Sequence, residues 1–146
     1  MGQQQLLLLV LSTVIVGLAT VAGIQAFSEN QAQASQDALV QRGTSIASDI
    51  QGLAGKPTQM GGIDLSNSVG GGKIAKRLGY ETTGNGGSNA AQVNADGAGT
   101  DGTCTINQSS SSSVTIGCTS SDAPQKVEVT VTPGTSDPVS TSFTSP

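Results

Sequence analysis

Residues 1–27 read MGQQQLLLLVLSTVIVGLATVAGIQAF and decide how the rest of the chain is interpreted. They contain no lysine or arginine, and the first charged side chain after them is Glu29. The apolar run from Leu6 to Phe27 matches the roughly 20 residues that cross a bilayer as a helix. A removable secretory signal has a basic start, a shorter apolar core and a cleavage site of small residues. We therefore expect a retained apolar helix, with a cleaved signal as the alternative.

The helix is predicted to continue beyond the apolar run as an amphipathic stretch. Residues 28–55 contain no proline, and their apolar side chains recur at spacings of three or four. Stop signals follow at Gly52, Gly55 and Pro57, whereas Gly43 inside the stretch costs about 1 kcal/mol relative to alanine. We predict one helix made of an apolar half, 1–27, and an amphipathic half, 28–55. The side chains expected on its apolar face are Ile24, Phe27, Ala34, Ala38, Ile46, Ile50 and Leu53, and those expected in water are Glu29, Gln33, Asp37, Gln41 and Asp49.

Small residues recur four positions apart in the apolar half. The pairs are Thr13 with Gly17, Ala19 with Gly23, and Ala22 with Ala26. Such pairs let helix backbones approach closely in an apolar medium. Glycine and alanine are also simply common in membrane helices, so the pairs are candidates for helix packing and do not predict it alone.

The composition after Pro57 changes to glycine, asparagine, aspartate and serine, which indicates turns. Within this region residues 73–78 are expected to form a short helix or a short strand. The GGGK of residues 70–73 lacks the glycine spacing and the following hydroxyl residue of a phosphate-binding loop. The DGAGTDG of residues 96–102 lacks the acidic spacing of a calcium loop, so no metal or cofactor site is predicted and calcium remains an alternative.

Residues 104–118, CTINQSSSSSVTIGC, predict a β-hairpin with one apolar face. The opposed pairs expected are Cys104 with Cys118, Ile106 with Ile116, and Gln108 with Val114. Directly opposed cysteines lie within disulfide reach, and a loop of this size contributes about 3 kcal/mol. Because the chain has no histidine, a zinc site is disfavoured. A disulfide between Cys104 and Cys118 is predicted, which implies an oxidising, extracytoplasmic compartment.

Two more strands are predicted near the end of the chain. They are KVEVTVTP, residues 126–133, and VSTSFTS, residues 139–145, with a turn between them. The predicted fold class is α+β, in which a long N-terminal helix carries a small antiparallel sheet, residues 56–146, on its second half. The outward face of this head is rich in serine and threonine and would suit O-glycosylation.

Charge and residue types narrow the function classes. The net charge is −4 and the few cations are scattered, so no nucleic-acid partner is predicted. The chain has no histidine to act as a base, its two cysteines are expected to be oxidised, and its acids are spread over turn-rich sequence. Catalytic residues are therefore not predicted, and an enzyme is not expected.

A short polar N-terminus, an apolar helix, its amphipathic continuation and a small Ser/Thr/Gly-rich β head together resemble the type IV pilins and pilin-like proteins. The resemblance implies a structural subunit of an extracellular filament at the cell surface, which polymerises with itself through its N-terminal helix. It also implies residence in the inner or cytoplasmic membrane before assembly, with a prepilin peptidase and the pilus assembly machinery as partners. The alternative is a single-pass membrane-anchored surface protein that serves binding or adhesion and does not polymerise.

The N-terminal glutamines are the point at which the chain departs from that family. Leader cleavage after Gly2 would leave Gln3 as the first residue. If a leader has already been removed, Met1 is first, and Gln5 stands where many bacterial pilins carry a glutamate that pairs with a neighbour's terminal amine. Because a buried ion pair often contributes little net stability, a neutral residue there is tolerable. We expect Gln3, Gln4 and Gln5 to set subunit register by bonding to one another or to a neighbour's Met1 amine; the alternative is a solvated N-terminal segment.

Overall fold

The computed structural model describes residues 2–85 and 89–145. It confirms the α+β class, with a long N-terminal helix and an antiparallel sheet. The chain divides into two compact units, the first ending at Ala32 and the second starting at Gln33. The elements are α1 (Gly2–Ala54), a 3₁₀ turn (Thr58–Met60), α2 (Gly71–Leu78), β1 (Gly84–Asn85), β2 (Ala90–Asn94), β3 (Thr103–Gln108), β4 (Val114–Thr119), β5 (Lys126–Val131) and β6 (Val139–Thr144).

Helix α1 runs without interruption to Ala54, so it ends at Gly55 as predicted, whereas Gly52 lies inside the helix and does not stop it. The amide of Gly55 donates to the carbonyl of Gln51 (3.1 Å), which closes the last turn. Pro57, which has no backbone N–H to donate, then leads into the 3₁₀ turn. The two halves predicted from the sequence therefore belong to one continuous helix.

Within the described residues the sheet has six strands in the order β1-β2-β3-β4-β5-β6, each antiparallel to the next. The predicted hairpin is present as β3 and β4. Its register is the one expected: Cys104 faces Cys118, Ile106 faces Ile116, and Gln108 faces Val114. The two later strands are also confirmed, as β5 and β6.

Strand β2 was not predicted, because residues 80–102 were assigned to turns. It pairs with β3 along its whole length. Its side chains alternate in burial, with Ala91 and Val93 buried. The element at residues 73–78, left open between helix and strand, is helix α2, which buries Ile74 and Ala75.

The core of the second unit lies between α1 and one face of the sheet. The buried helix residues are Ser35, Leu39, Gly43, Ile46, Ala47, Ile50 and Leu53. Ile46, Ile50 and Leu53 were predicted there, but the prediction for Ala34 is wrong, since Ala34 is exposed and its neighbour Ser35 is buried. At Gly43 the missing side chain lets the helix backbone approach Val129 of the sheet closely.

The two faces of the sheet differ in chemistry. The valines of β5 that were predicted to share a face, Val127, Val129 and Val131, are fully buried, and Val129 lies against Gly43 of α1. Edge strand β6 is covered less, and Phe143 remains 51% exposed. The opposite face, called here the outer face, carries threonine, serine and asparagine from β3, β4 and β6.

Candidate functional site

The first unit presents an apolar surface on every side of the helix. Each residue from Gly2 to Gln31 is exposed. The large apolar side chains from Leu6 to Phe27 are between 52% and 71% exposed. By length and composition α1 is able to cross a membrane, although a signal sequence meets the same test. A helix that is apolar all round is normally buried, either in lipid or among other helices.

The hydroxyl side chains of the apolar half bond within the helix. The hydroxyl of Ser12 donates to the carbonyl of Leu9 (2.9 Å), that of Thr13 donates to Val10 (2.8 Å), and that of Thr20 donates to Gly17 (2.8 Å). A hydroxyl that donates to a carbonyl one turn back needs no partner from water. These residues are therefore compatible with burial in an apolar surrounding.

The predicted small-residue pairs lie on two sides of the helix. With about 100° between successive residues, Thr13 and Gly17 lie within about 40° of each other. Ala19, Ala22, Gly23 and Ala26 share the other side, within about 100°. All six are exposed, and a Cβ atom placed on Gly17 or Gly23 would meet nothing within 4 Å. The structure thus does not bring the pairs into one patch but divides them between two opposed surfaces.

The glutamines predicted to set register lie in the first turns of α1. Gln3, Gln4 and Gln5 are all exposed, and the first turn has no acidic side chain. Because the three positions are consecutive, their side chains spread around the helix at steps of about 100° and do not form one face. The predicted contact with Met1 lies outside the described residues.

The disulfide between Cys104 and Cys118 is confirmed. The two Cα atoms are 4.0 Å apart, and both cysteines are fully buried. Gly43 of α1 lies above this bond, because a Cβ atom placed on Gly43 would be 3.4 Å from Cys118 Sγ. The covalent link between the central strands therefore sits directly beneath the helix.

A polar cluster that the sequence did not suggest joins α1 to the segment after α2. The Tyr80 hydroxyl donates to the Asp49 carboxylate, and the Arg42 guanidinium carbon lies 5.0 Å from the centroid of the Tyr80 ring. Arg42 Nε also donates to the carbonyl of Asn94 (3.2 Å). Burial, reinforced by Asp49 and partly offset by Arg42, raises the pKa of Tyr80 to about 12. The phenol is thus protonated at neutral pH and acts as a structural donor.

In the segment of residues 96–102, for which calcium binding was left as an alternative, Asp101 is hydrogen-bonded within the protein. The Asp101 carboxylate accepts hydrogen bonds from the amide of Ser121 (3.1 Å) and the hydroxyl of Ser120 (3.2 Å). These bonds, that of the Ser121 amide first, hold the pKa of Asp101 below its usual value. Among the residues that the structure describes, no three His, Cys, Asp or Glu side chains are grouped to hold a metal ion.

No protein-family model matches this chain, and no significant match was found among curated proteins or among solved structures.

Proposed function

We propose that this chain is the structural subunit of an extracellular, type IV pilus-like filament and that it polymerises through the apolar half of α1. The observation that carries the proposal is the first unit: its helix is apolar on all sides from Leu6 to Phe27, and every large side chain there is exposed. Lipid covers such a surface before assembly, and the helices of neighbouring subunits cover it afterwards.

The two small-residue surfaces favour a polymer over a dimer. A two-fold dimer uses one self-complementary face, whereas a helical polymer repeats a heterologous contact and gives each subunit different neighbours on different sides. Thr13 and Gly17 on one side, and Ala19 with Gly23 on the other, would allow close helix approach on both. A single-pass anchor that only holds a head at the surface requires neither.

The proposed sequence of events follows from the two units. The chain enters the inner or cytoplasmic membrane by its apolar helix, while the head with the Cys104–Cys118 bond lies on the oxidising side. A prepilin peptidase and the pilus assembly machinery are the proposed partners, and the mature filament is extracellular. The role proposed for the subunit is structural and not enzymatic.

The glutamines at the N-terminus are proposed to fix the register between subunits. Their amides would be hydrogen-bonded at a polar layer in the filament, since an unpaired buried amide costs about 1–3 kcal/mol. Gln5→Leu is the test of this role, because it removes the amide and keeps the side-chain size. Normal filaments from Gln5→Leu would rule out a function of this side chain in register.

Electron microscopy of material sheared from the cell surface tests the proposal. Thin fibres containing this chain are expected from the wild type, and Gly17→Ile and Gly23→Ile should each abolish or shorten them. Apart from the adjacent backbone of the helix itself, no atom lies within 4 Å of the Cβ position of either glycine, so the isolated chain accommodates both changes. Val14→Ile, which adds one methylene at a position that is already large, is the matched control and should assemble.

The alternative function is a membrane-anchored surface protein for binding or adhesion. It is supported by the same membrane-compatible helix and predicts a detergent-soluble monomer or dimer with no fibres. That outcome would overturn the filament proposal. The two variants also distinguish a dimer from a filament. In a dimer that associates through one face, only one of Gly17→Ile and Gly23→Ile would disturb association.

A further inference from the structure

The chain contains one asparagine that is followed two residues later by a hydroxyl residue with no proline between them. This is Asn107-Gln108-Ser109. The pattern is the acceptor sequence for N-linked glycosylation, in which the asparagine amide receives the sugar and the hydroxyl residue is recognised with it. A tripeptide of this kind arises often by chance, so its surroundings decide whether it has meaning.

The strand geometry turns both acceptor residues toward solvent. Asn107 lies in β3 on the outer face and is exposed. Gln108 points the other way, because its side chain is held by the amide of Val69 (2.7 Å) and the carbonyl of Leu65 (2.8 Å). Strand β3 ends at Gln108, and Ser109 is the first residue after it. Ser109 is exposed, and its hydroxyl accepts a hydrogen bond from the hydroxyl of Thr115 (2.9 Å). Thr115 is the residue opposite Asn107 in the hairpin, so Ser109 lies on the same outer face as Asn107.

The outer face beside Asn107 has room for a sugar. A shallow groove of about 350 Å³ runs from Asn107 across β4 to β5 and is lined by Thr105, Thr115 and Gly117. Gly117 contributes no side chain, and Lys126 lies over it, with its Cε atom 3.1 Å from the Cβ position of the glycine. Threonine hydroxyls and the lysine ammonium group are suitable hydrogen-bond partners for the hydroxyl groups of a sugar.

The disulfide and N-linked glycosylation are both typical of proteins outside the cytoplasm. The Cys104–Cys118 disulfide lies in the same hairpin, three positions along β3 from Asn107, and bonds of this kind persist mainly in oxidising settings outside the cytoplasm. N-linked sugars belong to secreted and surface proteins in the same way. This reasoning requires an exported head and applies equally to a filament subunit and to a membrane-anchored protein.

We propose that Asn107 is the attachment site of an N-linked glycan, delivered from a sugar donor that is joined through pyrophosphate to a lipid. The Asn107 Nδ2 atom forms a bond to the anomeric carbon of the sugar. The bond from that carbon to the pyrophosphate oxygen breaks, the lipid pyrophosphate leaves with its electron pair, and the amide loses one proton. The step changes no oxidation state and needs no residue of this chain as a catalyst.

Mass spectrometry of the full chain, purified from the cells that produce it, tests the proposal. Trypsin cuts after Arg77 and Lys126 and releases residues 78–126, which carry Asn107 and both cysteines on one peptide. In the wild type this peptide is expected to exceed its sequence mass by that of the glycan. Asn107→Gln and Ser109→Ala should return it to the sequence mass, and Ser109→Thr should keep the addition.

Asn94→Gln is the matched control, because Asn94 is an exposed strand asparagine on the same peptide with no hydroxyl residue two positions later. It should leave the addition unchanged. An intact disulfide, measured as the mass difference on reduction, verifies that each variant has folded. A wild-type peptide at its sequence mass overturns the proposal, and so does a sugar that fragmentation places on the serines of residues 109–113.

Discussion

Gly43 of α1 lies against Val129 of β5. A Cβ atom placed on this glycine would be 3.0 Å from Val129 Cγ2, closer than side chains normally pack. A mid-helix glycine costs about 1 kcal/mol relative to alanine, yet here it lets the helix settle onto the centre of the sheet. The stability gained from that close packing offsets the poor helix propensity.

We predict that Gly43→Ala lowers the free energy of unfolding relative to Gly52→Ala. Gly52 is an exposed glycine of the same helix with nothing within 4 Å of its Cβ position, so alanine should stabilise it by up to about 1 kcal/mol. At Gly43 the added methyl overpacks the core, which typically costs about 1–3 kcal/mol. Denaturant unfolding of the full chain in detergent measures both variants.

The control for this mechanism is the combined variant Gly43→Ala with Val129→Ala. Removing the valine methyls vacates the space that the new methyl enters, so the two changes together should destabilise less than the sum of their separate effects. Strict additivity would show that the contact between Gly43 and Val129 does not limit the packing of the helix.

Reduction of the Cys104–Cys118 disulfide should lower the free energy of unfolding by about 3 kcal/mol, because the closed loop no longer restricts the unfolded chain. The bond is fully buried, so the folded protein is expected to resist mild reductant until denaturant opens the head. Unfolding curves with and without reductant measure the difference. Identical midpoints for the oxidised and the reduced protein would contradict the prediction.

The side-chain amide of Gln108 binds the loop of residues 65–70 through both its oxygen and its nitrogen. Its oxygen accepts from the amides of Val69 (2.7 Å) and Gly70 (3.1 Å), and its nitrogen donates to the carbonyls of Leu65 (2.8 Å) and Ser110 (3.1 Å). Gln108→Leu should destabilise the head by at least about 2 kcal/mol, since it leaves several partly buried backbone groups unpaired. Thermal unfolding of the full chain reports this loss.

Gln51→Leu makes the same chemical change at an exposed position of α1 and should stay within about 0.5 kcal/mol of the wild type. Gln108→Leu leaves Asn107 and Ser109 in place, so the proposed glycan should survive it. A stable Gln108→Leu variant would show that other contacts hold the loop.

Tyr80 is the single tyrosine of a chain without tryptophan, so its phenolate absorbance can be followed directly. The midpoint of the titration is expected near its raised pKa of about 12. Asp49→Asn should lower the midpoint, because it removes a negative charge that disfavours the phenolate, and Arg42→Gln should raise it, because it removes a positive one.

The raised pKa of Tyr80 also predicts how the free energy of unfolding changes with pH. The contribution of protonated Tyr80 is fully present below the pKa of an unfolded tyrosine, about 10, and is lost as the pH rises from there to about 12. Alkaline unfolding curves measure this loss. A titration midpoint equal to that of free tyrosine would show that the contact with Asp49 is not maintained in solution.

The hairpin could be predicted from the sequence in full register because two independent signals agree there. Alternation places Ile106 opposite Ile116, and the two cysteines close the same face at its end. The end of α1 could also be predicted from Gly55 and Pro57, because both act locally on the backbone, although Gly52 failed as a stop signal and lies inside the helix. Both predictions rest on short-range rules.

Other features depend on tertiary contacts that hydropathy does not encode. Ser35 and Gly43 are buried, although neither is apolar enough to mark a buried face, and Gly43 packs against Val129 of the sheet. Strand β2 is difficult to predict because the sequence on both sides of it is rich in turn-forming residues. Only the alternation of Ala91 and Val93 with polar residues could have indicated a strand. The contact between Arg42 and Tyr80 joins residues whose spacing carries no signal.

The disulfide has a further consequence for a protein exposed to proteases. The serine-rich turn at residues 109–113 is the tip of the hairpin and lies wholly inside the loop that Cys104 and Cys118 close. A protease that cuts this turn therefore produces two polypeptides that remain covalently joined, and their strands stay paired in the sheet. Damage at the most accessible point of the hairpin would thus leave the head in one piece.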